Sequence, residues 1–128
     1  MPKRYDRRSV LVFDGFLSGD LVRDVYCASD FVLNDAAEYL TSAVVRTAME
    51  YARPVIARET GCTRDMARGA AVWIDRHGGL AEAIAQALAL PSEQYARLSE
   101  SAAARNRERQ WDGTAGVLSD LYEGLIPA

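Results

Sequence analysis

Val12-Phe13-Asp14-Gly15 puts a carboxylate at the end of an apolar run, where an aspartyl nucleophile would stand. That chemistry needs a second acid two residues further on, and Phe16 occupies that position. Cys62 follows Gly61 near an expected helix start, where a helix dipole lowers a thiol pKa, yet no base is paired with it in the sequence. His77 is the single histidine and sits in a Gly-rich turn, so it reads as a loop residue and no multi-histidine metal site can form. Asp14 and Asp75 each follow an expected strand, but the acid pair and lysine of a phosphate-accepting receiver are missing. Arg97, Arg105, Arg107 and Arg109 alternate with Glu100 and Glu108, the pattern of a solvated helix face. No Gly-x-Gly-x-x-Gly, phosphate-binding Gly-Lys-Ser/Thr, His-Glu-x-x-His or Cys-x-x-Cys occurs.

Whatever chemistry the chain has must therefore come from how its elements converge. With 128 residues it is expected to form one domain. Hydrophobic residues at 49% against 26% charged ones are enough for a core and argue against disorder. A formal charge of −3 speaks against a nucleic-acid or anionic-membrane binder. No apolar run approaches the roughly 20 residues of a membrane-spanning helix. Two cysteines, Cys27 and Cys62, without a secretory leader point to reduced thiols in the cytoplasm.

Met1–Arg8 is expected to be a basic flexible arm, and residues 9–128 a single α/β domain. Val10–Phe13 reads as a buried strand ending at Asp14-Gly15. Ser18 can cap a helix carrying Leu21, Val22, Val25 and Tyr26, and Phe31–Leu33 reads as the second strand. Ala43–Tyr51 is helical with Val44, Val45, Ala48 and Met49 on one face, and Pro54 cannot continue it. Val55–Ala57 and Ala70–Ile74 are the next strands, separated by a short helix near Thr63–Arg68. Leu80, Ala83, Ile84, Ala87 and Leu88 recur with helical spacing. Pro91 ends that helix, Ser92 can cap the next, and a last helix holds Val117, Leu118, Leu121, Tyr122 and Leu125. Strands alternating with helices predict a partial Rossmann-like parallel sheet flanked by helices, with a helical C-terminal end.

In order and spacing, several segments resemble the C-terminal lobe of family-four (group 1) GT-B glycosyltransferases. Phe13-Asp14-Gly15-Phe16-Leu17-Ser18 with Leu21–Tyr26 is similar to one stretch of that lobe, and Ala28–Leu33 looks like its next strand. Thr47–Ala57 is similar to the family signature Glu-Ala-Met-Ala-x-Gly-x-Pro-Val-Ile-Ala. Ala71–Asp75, Leu80–Leu88 and Gln110-Trp111 with Tyr122 resemble later patterns, so the likeness runs from Val10 to Leu125.

The resemblance implies a domain that holds a nucleotide-sugar donor as substrate, without metal or other cofactor. By that alignment Gly15, Phe16, Glu38, Tyr39, Thr47 and Gly61 line the donor side. Thr47 stands where the family has its second glutamate, Tyr39 stands at the first with Glu38 displaced by one, and Tyr39–Ser42 replaces a Gly-rich turn. A side chain at such a turn hinders the close backbone approach that glycine permits. The family's lobe also begins with about three strands that have no counterpart here and that carry the cations contacting the donor diphosphate. The resemblance thus implies a fragment or split half, inactive as the isolated chain, whose partner is a second copy or a separate chain supplying the missing lobe. The other reading is a non-catalytic assembly or regulatory module that kept the fold.

Overall fold

The computed structural model describes residues 10–37, 41–75 and 79–125. The elements run α1 (Gly19–Ala28), β1 (Val32–Asn34), α2 (Ala43–Glu50), β2 (Val55–Arg58), α3 (Thr63–Met66), β3 (Ala71–Ile74), α4 (Leu80–Leu88), α5 (Ser92–Glu108) and α6 (Trp111–Leu125). The strands form a three-stranded parallel sheet in the order β1-β2-β3. Val32 is opposite Val55, and Val55 is opposite Ala71. The chain is therefore an α/β protein with a partial Rossmann-like parallel sheet flanked by helices and a helical C-terminal end.

Both faces of the sheet are covered, as a parallel sheet requires. The strand alternation of β2 sorts its residues: Val55 and Ala57 pack with Val45, Ala48 and Met49 of α2 and with Met66, Ala67, Ala70 and Ala102. Ile56 faces the other way, joining Val72, Ile74 and Ala83 and Ala87 of α4. Small residues on α2 and α5 let the first layer close tightly, with Ala48 and Ala102 both fully buried.

The helix termini follow local chemistry. Ser18 Oγ accepts from the Leu21 N–H and Ser42 Oγ from the Val45 N–H, each satisfying an otherwise orphan donor of a first turn. Past α2, Ala52 adopts φ +53°, its N–H bonding to Met49 O while the Arg53 N–H bonds to Ala48 O. That is a Schellman stop, a conformation that favours glycine. Pro54 follows at once.

Two expectations are corrected. Val10–Phe13 is not a strand: the four residues are coil and all exposed, so among the described residues β1 is the sheet edge on that side. β-propensity works through neighbouring strands, and no described strand lies beside this segment. Ser92 is the first residue of α5 and does not cap it; Pro91 holds the cap position. Met1–Arg8, the expected basic arm, lies outside the described residues.

Candidate functional site at the carboxyl ends of the strands

All three strands point the same way, so the residues that follow them gather at one end of the sheet. In open parallel sheets this is the end where ligands bind. Here a groove of about 550 Å3 is lined by Ala37, Arg58, Glu59, Thr60, Trp73, Ile74 and Asp75. It brings together the turns after β1, β2 and β3. Its volume falls within the range of small-molecule sites.

Hydrogen bonds of short side chains shape one wall. Asn34 Nδ2 donates to Ser42 Oγ at 2.8 Å, joining the end of β1 to the start of α2. Asn34 Oδ1 accepts from the Ala36 N–H at 3.3 Å, which turns the chain into the loop. Arg58 Nε lies 2.6 Å from Asp35 Oδ1, an ion pair whose N–H is not aligned for a hydrogen bond. Arg64 Nε sits 2.9 Å from Glu59 Oε1. Thr60 Oγ1 is buried without a hydrogen-bond partner. A buried hydroxyl left unpaired is unusual. Trp73 adds an aromatic wall.

The residues predicted from the resemblance do not fall together. Gly61 occupies the turn after β2 at φ +52°, next to the groove-lining Thr60. Glu38 and Tyr39 lie outside the described residues; they follow the groove-lining Ala37 in sequence. Thr47 is half-buried on α2 and does not line the groove. Gly15 and Phe16 stand in the exposed coil before α1, with Phe16 fully exposed, and neither lines the groove. Asp35, Arg58, Thr60 and Trp73 escaped the motif search. The signal that finds them is positional: they lie in or next to the segments that end each strand.

The other chemistry-bearing side chains have structural occupations. Cys62 is half-buried with Sγ 3.1 Å from Met66 Sδ, and Cys27 is exposed; neither forms a disulfide. Arg97 pairs with Glu93, Arg105 with Glu108 and Arg109 with Asp65. Arg105 Nε also donates to Arg68 O at 3.3 Å, so this arginine tethers α5 to the α3–β3 turn. Among the described residues no cluster of His, Cys, Asp and Glu is disposed to hold a metal ion. No helix among them is long and apolar enough to cross a membrane. His77 lies outside the described residues. The chain matches no protein-family model and no curated protein.

Proposed function

We propose that this is a glycosyltransferase-like domain, a fragment or split half that contributes one wall of a nucleotide-sugar site completed by another chain. The observation that carries the reading is the groove at the carboxyl ends of the strands, where Trp73, Arg58 and Thr60 meet. A sugar presents hydroxyls that donate and accept, with an apolar C–H face between them. Arg58 supplies donors and the carboxylates of Glu59 and Asp75 supply acceptors in the groove lining, and an aromatic wall suits the C–H face.

A backbone detail supports the likeness to the family signature. Aligned with Thr47–Ala57, that signature has its glycine at Ala52, and Ala52 holds a positive φ of 53° in the helix stop before Pro54. A glycine there is what the Schellman geometry asks for.

Among the described residues, Arg58 in the groove lining and Arg64 near it are both paired with carboxylates, and Thr47 carries no charge. Phosphoryl leaving groups need preorganised positive charge, so a second polypeptide supplies it in this reading. The test is an amide-resolved NMR titration of the chain with UDP-, GDP- and TDP-sugars. Saturable shifts confined to residues around Arg58, Thr60 and Trp73 are expected; no shift with any donor removes the proposal.

A non-catalytic assembly module is the second reading. What favours it is α6, which buries none of its residues and exposes Trp111, Val117, Leu121, Tyr122 and Leu125. A tight complex without sugar transfer supports it, and transfer by the purified chain alone ends it.

A further inference from the structure

The sheet has an open side. β1 pairs only with β2 among the described residues, and Val32 donates its N–H to Pro54 O at 3.0 Å. Backbone groups alternate sides along a strand, so Leu33 turns its N–H and C=O to the vacant edge. Beside that edge runs a groove of about 270 Å3 lined by Val25, Tyr26, Ser29, Phe31, Val32 and Leu33. Ser29 Oγ is spent on Val25 O at 2.7 Å, so the groove offers a mainly apolar lining next to an unpaired ladder. Natural sheets rarely leave such an edge free.

The same chain carries a segment with the complementary deficiency. Val10, Leu11, Val12 and Phe13 have strand composition, and they are 42%, 80%, 68% and 42% exposed. The segment is one residue longer than β1 and joins the fold through Asp14–Ser18, yet it does not occupy the groove beside its own β1. A parallel register sets Val12 beside Leu33, so that Leu33 donates its N–H to Leu11 O and accepts from the Phe13 N–H.

We propose that the β1 edge and its groove receive Val10–Phe13 of a second copy of this chain. Each copy donates its segment to the other's β1, extending both sheets by a fourth parallel strand. The exchange is reciprocal, so it closes as a two-fold dimer and leaves neither deficiency open. It rests on the open edge alone and is independent of the glycosyltransferase reading.

Sedimentation equilibrium of the full chain over a range of concentrations tests it. A reversible species of twice the 14.1 kDa chain mass is expected. Phe13→Pro removes the N–H that donates to Leu33 O in this register, since Val12, opposite Leu33, turns its own N–H away from β1. Phe13 is exposed in the monomer. The substitution should raise the dissociation constant at least tenfold while leaving the circular dichroism of the monomer unchanged. A monomer at every concentration overturns the proposal, as does a dimer indifferent to Phe13→Pro. Should that variant misfold, Val12→Asp is the substitute and its outcomes are read the same way. Oxidation of a chain carrying Cys27→Ser, Cys62→Ser, Val12→Cys and Leu33→Cys gives the geometry directly. Disulfide-linked dimers are expected; a link within one chain places the segment on its own β1 and overturns the exchange, as does failure to cross-link.

Discussion

Val55–Ala57 and Val10–Phe13 are both short apolar, β-branched runs, and their fates are opposite. Val55 and Ala57 are fully buried and Ile56 nearly so, between α2 on one face and α4 on the other. Val10–Phe13 is exposed throughout, as is the apolar stripe of α6. Composition does not separate the two cases. What separates them is whether a second element supplies the other wall of the contact: β2 has a strand on each side and a helix over each face, while the outlying segments have no such neighbour among the described residues. An apolar residue stabilises a fold only by the area it takes out of water.

That contrast can be broken most forcefully at the centre. Met49→Ala removes a side chain 2% exposed beneath the sheet, and it should cost about 2–5 kcal/mol in urea unfolding. Leu121→Ala on α6, at 55% exposure, should change monomer stability by less than about 0.5 kcal/mol in the same assay. Equal losses would refute the division between packed and open regions. Ser42→Ala removes the α2 cap and the acceptor of Asn34 Nδ2 together, so a loss of about 1–2 kcal/mol is expected.

Ala52→Gly should stabilise the chain by up to about 1 kcal/mol, because glycine enters the left-handed region without the Cβ clash. Gly69→Ala does the reverse. Its φ is +75° and a Cβ would meet Ser101 Oγ at 3.4 Å, so a loss of about 1 kcal/mol or more is expected. Thermal unfolding of the pair reads both signs.

The smallest effect lies at the junction of the two regions. Burial, and then repulsion from Tyr51, whose ring centroid is 5.6 Å away, raise the Tyr26 phenol above its ordinary pKa of 10.0. The folded chain thus holds this proton more tightly than the unfolded one. Its stabilising share is fully present below pH 10.0 and is lost as pH rises through the folded value. Tyr26→Phe should flatten that alkaline decline; an unchanged profile would assign it elsewhere.

Much of the fold was readable along the chain because its signals are local. The spacing of Leu80, Ala83, Ile84 and Ala87 is α4, Ser18 caps the helix it precedes, and Pro54 marks the end of α2. Val10–Phe13 carried an equally good strand signal and misled, because pairing needs a partner that propensity does not contain. The site was less legible. Gly61 falls beside the groove, while Thr47, Gly15 and Phe16 line none of it. Asp35, Arg58, Thr60 and Trp73 carry no motif and gain meaning only by converging.

The sequence alone determined the helices, the Ser18 cap and the proline stops, the three apolar runs that became the sheet, and the α/β class that follows from their alternation. These depend on periodicities of a few residues, which a single chain displays in order. Tertiary structure decided which apolar segments found cover and which polar residues met at the end of the sheet. Both depend on contacts between positions far apart in sequence, such as Val32 with Val55 and Val55 with Ala71, and no local pattern encodes those pairings.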